Sequence, residues 1–376
     1  LSLATAVAAL VVGPAMAGGA IAFAPARQFP TGSTMGPGPG AVTTIAIDVD
    51  GDGDPDVVTT DWFGHGPLVL RNDGAGSFGA PQPVAGAADV GALAGGDLDG
   101  DARPDLVGRD NTGVVVLVGN GDGTFTAGAH IPMSSNAQQS VAVVDTNGDG
   151  RLDIVSPERS GIQTLFGAGD GTFSIGPVSP LIGLLSDISA ADLDGDVAAD
   201  LVVADATPFA QRVVALRGAG DGTFAMSGAG AVAYGPEAVM AGDLDGDGRD
   251  DAISVDSFSV FNAPPSFSIT VLLGDGHGDF RSRSTYATGD GPVSGALADF
   301  DGDGNLDVVV SAVGGSVVTV YAGNGEGGLT EAGRLPVARQ PQTPVAADLD
   351  GDSRPDIAVP GVGQLSVLRN TSPALQ

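Results

Sequence analysis

Along this chain short apolar runs alternate with polar, glycine-rich stretches at a nearly constant pitch. The segment DVVTTD (residues 56–61) is apolar and β-branched, as a buried strand is, and PLVLRN (67–72) follows after a short connection. GVVVLVGNGDGTF (113–125), GIQTLFGAGDGTF (161–173), RVVALRGAGDGTF (212–224), SITVLLGDGHGDF (268–280) and SVVTVYAGNGEGGL (316–329) each read as strand, tight glycine turn, strand. Another apolar run, for example SVAVV (140–144) or PVAA (344–347), precedes each aspartate-rich stretch. Every unit thus predicts four strands, lettered here in order: A, an acidic loop, B, a connection, C, the glycine hairpin, D.

The acidic loops set the period. The first places Asp48, Asp50, Asp52 and Asp56 at loop positions 1, 3, 5 and 9, with Gly51 and Gly53 at positions 4 and 6. Further copies begin at Asp97, Asp145, Asp192, Asp243, Asp299 and Asp348, at intervals of 47 to 56 residues. A period of this size marks a repeat architecture and overrules the two or three domains that length alone suggests. Seven units of four antiparallel strands predict an all-β, seven-bladed β-propeller. A β-helix has much shorter coils, and the L-x-x-L-x-L ladder of a leucine-rich repeat is absent. The seventh unit stops after QLSVLRN (364–370) without a strand D, whereas FAPARQFP (23–30) reads like the strand D segment FGAPQPV (78–84). The segment 18–42 is therefore expected to supply the closing strand, making residues 18–376 one propeller and leaving no open sheet edge at the seam.

The loop spacing has its own chemistry. Carboxylates at positions 1, 3, 5 and 9, with the carbonyl of position 7, suit a hard cation that takes six to eight oxygens, and the glycines ease the turn that folds them inward. The expected ligand sets are Asp48, Asp50, Asp52, Asp54 and Asp56; Asp97, Asp99, Asp101, Arg103 and Asp105; and Asp145, Asn147, Asp149, Arg151 and Asp153. The fourth and fifth are Asp192, Asp194, Asp196, Ala198 and Asp200, then Asp243, Asp245, Asp247, Arg249 and Asp251. The last two are Asp299, Asp301, Asp303, Asn305 and Asp307, then Asp348, Asp350, Asp352, Arg354 and Asp356. Position 7 contributes through its backbone only. Without a cation, so many carboxylates in each turn would repel one another. Ca²⁺, up to one per loop, is preferred over Mg²⁺, which keeps several of its waters. Position 6 is Ala102 in loop two, Ser353 in loop seven and Val197 in loop four, and a β-branched residue bears positive φ poorly, so loop four is expected to be the weakest site.

The loop D-x-D-G-D-G-x-x-D, followed by D-[LIV]-V and a G-x-G-D-G-T-F hairpin, resembles the FG-GAP/VCBS repeat of integrin α-subunit heads and secreted bacterial propellers. The resemblance covers about residues 23–370. It implies a seven-bladed propeller whose A–B loops bind Ca²⁺ and whose role is extracellular binding or adhesion. No adhesion, lyase, hydrolase or anchoring domain accompanies it, which leaves the ligand open.

Composition narrows the partners. The formal net charge is −31, and seven divalent cations would reduce it only to −17, so nucleic acid and anionic lipid are excluded as partners. There is no cysteine, hence no disulfide, thiolate nucleophile or Cys-bound zinc. Residues 1–17, LSLATAVAALVVGPAMA, resemble the apolar core and cleavage site of a secretory signal peptide lacking its basic start, and the run is shorter than the ~20 residues that span a bilayer. A secreted or periplasmic, monomeric propeller without membrane insertion is expected.

The three histidines, His65, His130 and His277, are not placed for catalysis by any motif. The A–B loops and C–D hairpins share one face, and the B–C and D–A connections share the other. That second face carries Trp62, Phe63 and His65, then Phe209, then Phe258, Phe261 and Phe267 around Pro264 and Pro265. Aromatic residues on loops suit a glycan or protein ligand, although they also serve to pack loops down. The reading adopted is a secreted, calcium-binding module for a glycan or protein. A polysaccharide lyase or hydrolase and a purely structural surface module are the alternatives.

Overall fold

The computed structural model describes residues 20–31, 43–60, 66–134, 140–208, 210–233, 235–257 and 267–373. The region read as a signal peptide lies outside them. The described residues form seven four-stranded antiparallel sheets, each in the spatial order A-B-C-D, with the seventh completed by the N-terminal strand. Blade two is representative: Ala92–Gly96, Asp105–Arg109, Gly113–Gly119 and Phe125–Pro132. Innermost strands touch those of both neighbouring blades all the way round, which makes the array a closed propeller.

Burial follows from this stacking. Strands B and C are covered on both faces by the adjoining blades, so they are buried almost without a break, for instance Asp200–Asp205 and Gly161–Gly167. Outer strands face solvent and alternate; Leu329–Pro336 is mostly exposed. The core is consequently a ring of interblade layers. One layer joins Val58 and Val69 of blade one to Leu93, Leu106 and Leu117 of blade two. Another joins Val155 and Ile162 of blade three to Leu185, Leu201 and Val214 of blade four. The layer between blades seven and one holds Val57, Leu70 and Phe78 with Leu349, Leu365 and Val367.

Ring closure occurs as the repeat pattern predicts. Arg27–Pro30 pairs antiparallel with Gln364–Leu368, with Arg27 opposite Val367 and Phe29 opposite Leu365. Phe23 bridges Asn370 just as Phe78 bridges Asn72 in blade one, so the two segments are structural equivalents. The seam is then tied to blade one. Phe29 meets Phe78 edge to face at 5.4 Å, and Arg27 donates from Nη1 to the Gly76 carbonyl (3.2 Å) and from Nη2 to Ser77 Oγ (2.8 Å). Blade one departs from the others in its outer strand, which shrinks to Gln82–Pro83. Pro81 and Pro83 lack the N–H that a longer ladder needs. Among the described residues no helix is long and apolar enough to cross a membrane.

Deleting residues 18–33 should strip blade seven of its fourth strand and expose an unpaired edge. Size-exclusion chromatography and thermal melting are expected to show aggregation or a lost cooperative transition, and a monomer with an unchanged melt would refute the role given to this strand.

Candidate metal centres

Each A–B loop is wound around the carboxylate at its first position. Asp48 accepts the Gly51 amide on Oδ1 (2.8 Å) and the Gly53 amide on Oδ2 (3.0 Å). Asp243 does the same with Gly246 and Gly248 (2.7 and 2.9 Å), and Asp299 with Gly302 and Gly304 (2.7 and 2.8 Å). The aspartate at position 5 accepts the amide of position 7, as Asp52 does from Asp54, Asp247 from Arg249 and Asp303 from Asn305. These turns fold the side chains of positions 1, 3 and 5 into one concavity.

Position 9 has a second duty that spacing did not reveal. Its carboxylate is buried and spans the blade. Asp56 accepts Val49 N on Oδ2 (3.0 Å) and Asn72 N on Oδ1 (2.7 Å). Asp105 holds Leu98 and Gly119, Asp153 holds Thr146 and Gly167, and Asp200 holds Leu193 and Gly218 in the same way. Asp251, Asp307 and Asp356 repeat it with Leu244 and Gly274, Phe300 and Gly323, and Leu349 and Asn370. One oxygen fixes the start of the acidic loop and the other fixes the end of strand C. Burial pushes the carboxyls of Asp56, Asp105, Asp200 and Asp356 up to about 6, and those of Asp251 and Asp307 to about 7, against the opposing pull of the two amides.

In five of the loops, three of the expected side chains come together. Carboxylate oxygens lie within 4.8 Å of one another in the sets Asp48, Asp50, Asp56; Asp192, Asp194, Asp200; and Asp243, Asp245, Asp251, and likewise in Asp97, Asp99, Asp101 and Asp299, Asp301, Asp303. Burial and then the neighbouring carboxylate push up the pKa of Asp99, Asp245 and Asp301, the last to about 6. Buried Oδ1 atoms of Asp50, Asp245 and Asp350 have no hydrogen-bond partner. An all-oxygen donor set, mutual repulsion and orphaned carboxylate oxygens fit a hard divalent cation, whose charge reverses the repulsion.

Position 6 takes positive φ whatever residue stands there: Gly53 at 94°, Ala102 at 66°, Ser353 at 67° and Val197 at 72°. The amides of Ala102 and Ser353 still reach the position 1 carboxylate at 2.9 and 2.7 Å. In loop four the amide bonds to Asp192 come from Gly195, and the position 6 bond found in the other loops is missing. Val197 is 90% exposed, so nothing packs on its side chain to offset the strained backbone.

The loops also join the blades. Gly123, Gly171 and Gly222 of the C–D hairpins donate to the position 2 carbonyls of Val49, Leu98 and Thr146 in the preceding blade, at 3.0 to 3.1 Å. Gly327 donates to Leu244 (2.9 Å), and Asn370 and Asn72 reach the carbonyls of Phe300 (2.8 Å) and Leu349 (2.9 Å) through Nδ2. Between blades four and five Asp250 replaces the hairpin glycine, giving its amide to the Asp192 carbonyl (2.8 Å) and accepting Asp192 N (2.9 Å).

On the opposite face Trp62, Phe63, His65, Phe209, Phe258 and Phe261 lie outside the described residues. Phe267 is half-buried, and its carbonyl accepts the Thr288 amide at 2.9 Å. No described contact joins it to a wider site.

The family model for the FG-GAP-like repeat matches residues 48–108, 97–156, 145–203, 192–254, 256–310 and 299–359. No curated protein matches the chain. Among solved structures, an Agrocybe aegerita lectin described as recognising non-reducing terminal N-acetylglucosamine is similar, with 22% identity, a TM-score of 0.57 and coverage of 88% of this chain and 94% of that one. BBS1N, solved in complex with ARL6DN, is 11% identical with a TM-score of 0.63, covering 94% and 99%. Virginiamycin B lyase from Staphylococcus aureus is 12% identical with a TM-score of 0.55, covering 87% and 99%. At these identities the likeness is one of fold.

The buried position 9 carboxylate can be tested without any cation. In Asp251→Asn one of the two amides that face the side chain meets an NH₂ group in place of an oxygen, at a cost of about 2–4 kcal/mol. The melting temperature in chelator is expected to fall by several degrees. An unchanged melt would show that the two hydrogen bonds are dispensable.

Proposed function

Because the chain belongs to the FG-GAP-like repeat family, we propose that it is an exported, calcium-binding propeller that presents a ligand surface for a glycan, with a protein ligand as the second case. The observation that carries this reading is the contrast between its two faces. All seven A–B loops span eight residues between their strands, whereas the B–C connections run from two residues (362–363) to eleven (257–267). The first face is occupied by repeated structure: its carboxylates wind the loops, and its carbonyls hold the neighbouring blade. Variation, and with it recognition, falls to the second face. The Agrocybe aegerita lectin is a propeller-like relative in fold whose described ligand is a sugar terminus, which supports a glycan as the first class to test.

Calcium serves here as scaffold. When bound it supplies positive charge among the aspartates of each loop, and the chain's own contribution is to hold those oxygens in place before binding. Export agrees with this, since the apolar residues 1–17 would direct the chain to compartments where calcium is abundant. We read the protein as a binder and not an enzyme. His130 Nε2 lies 3.0 Å from Thr112 Oγ1 and 3.4 Å from Asp110 Oδ2. Both partners share one ring nitrogen, so this ring cannot relay a proton from hydroxyl to carboxylate as a catalytic triad does.

A glycan array probed in millimolar Ca²⁺ and again in EDTA tests the reading. Hits that vanish in EDTA are expected; an array blank in both buffers would remove glycans and leave the protein ligand. Loop four gives a separate check on the metal. Relief of the Val197 backbone, which stores on the order of 1–3 kcal/mol, should tighten one calcium site roughly ten- to a hundredfold in Val197→Gly. Calorimetric titration showing no tighter site in that variant would remove the strain argument.

A further inference from the structure

Four acidic loops hold an arginine from outside the loop against their position 3 carboxylate. In blades one, four and seven the residue just before the one bonded by the position 9 aspartate is arginine: Arg71 and Arg369 directly follow the last residue of strand C, and Arg217 is its penultimate residue. Arg71 Nη1 lies 3.4 Å from Asp50 Oδ2, and Arg369 Nη1 lies 3.4 Å from Asp350 Oδ2. Arg217 places Nε against Asp194 and Nη2 2.9 Å from Asp196 Oδ2. Blade five has Leu273 at that position, and Arg281 of the adjoining outer strand takes over, with Nη2 against Asp245 and Nη1 3.5 Å from Asp247 Oδ2. The equivalent strand C residues in blades two, three and six are Val118, Phe166 and Ala322.

These contacts are selective. Each guanidinium meets the position 3 aspartate, whose side chain is far more enclosed than that of position 5: 6% exposed in Asp245 against 30% in Asp247, and 5% in Asp194 against 37% in Asp196. The arginines at position 7 behave differently, for Arg103, Arg151 and Arg354 pair only with the more open aspartate at position 5 of their own loops. In loop six, position 7 is Asn305, and among the described residues no arginine is paired with Asp301 at position 3.

Resting on the calcium reading above, we propose that Arg71, Arg217, Arg281 and Arg369 are built-in counter-ions that divide the calcium loops into two classes. In loops one, four, five and seven the guanidinium neutralises the position 3 carboxylate when calcium is scarce. An entering cation must then displace a positive charge or share its carboxylate with one, so these sites bind more weakly. Loops two, three and six have no such substitute, bind calcium more tightly and depend on it more. The guarded blades are two neighbouring pairs, seven with one and four with five. Blades seven and one flank the seam closed by Arg27–Pro30, so the guarded loops keep the ring's joint least sensitive to loss of calcium.

Calorimetric calcium titration and thermal melting, in saturating Ca²⁺ and in EDTA, test this on the full chain. Wild type is expected to show a tight class of three sites and a weaker class of four. Arg281→Met should move one site into the tight class by roughly three- to tenfold, because the partner is a half-exposed ion pair. The same variant should melt lower than wild type in EDTA and equally in saturating Ca²⁺, a pattern that simple loss of packing would not produce. Arg281→Lys should resemble wild type, and Arg334→Met, which removes only the surface pair with Glu331, should change neither measurement. Arg369→Met serves as the second variant should Arg281→Met fail to fold. Seven equivalent sites in wild type, or no tightened site in Arg281→Met and Arg369→Met, would overturn the counter-ion role while calcium binding stands. Absence of any calcium heat and of any calcium effect on wild-type melting would instead overturn the calcium reading itself.

Discussion

The buried carboxylate at position 9 of each acidic loop is the contact on which the rest of the blade depends. It takes two amides from segments that are distant along the strand path, the entry to the loop and the exit of strand C, as Asp307 does from Phe300 (2.7 Å) and Gly323 (2.8 Å). Burying a charge is costly, and the raised pKa of Asp307 expresses that cost, but two amide donors aimed at a fixed carboxylate recover much of it. The loop entry thereby gains a fixed direction. Its carbonyl, at position 2, faces the next blade, and its remaining aspartates face inward.

From that one bridge the propeller assembles outward. The position 2 carbonyl receives a donor from the following blade at nearly every interface, and the apolar layers between sheets fill in beneath. Blades four and five are joined at position 1 instead, where Asp250 gives its amide to the Asp192 carbonyl and accepts the Asp192 amide. On the inner strands Asp187 adds a clamp across three blades, accepting Ser140 Oγ (2.8 Å) and Val239 N (3.0 Å). Stiffness is thus concentrated on one face and around the axis. The opposite connections are left to vary in length and composition.

Charge imposes the complementary constraint. A chain at −31 that folds its aspartates into seven turns works against itself unless positive charge is returned to those turns. Divalent cations and arginine side chains are the two sources available, and the structure distributes the arginines unevenly. Seen this way, loop four combines two weaknesses, a β-branched residue at 72° of φ and a guanidinium on its position 3 carboxylate.

Much of this was readable from the chain because repeats multiply a weak local signal. The period, the four strands per unit, the G-D-G hairpins, the equivalence of Phe23 with Phe78 and the positive φ at Val197 are local properties, set by side-chain alternation and backbone sterics. Those determine the blade and the number of blades. What the sequence could not supply is partnership between segments far apart in it. That Asn72 and Asn370 span blades, that Asp56 and its six equivalents bridge loop to strand, and that Arg71, Arg217 and Arg369 reach their loops became evident only once strands B and C lay side by side. A faint trace of these existed, the repeated Leu-Arg before Asn72, Gly218 and Asn370, but spacing alone cannot say where a long side chain ends. Hydrogen bonds and ion pairs act over about 3 Å, and only the tertiary structure decides which groups come within that reach.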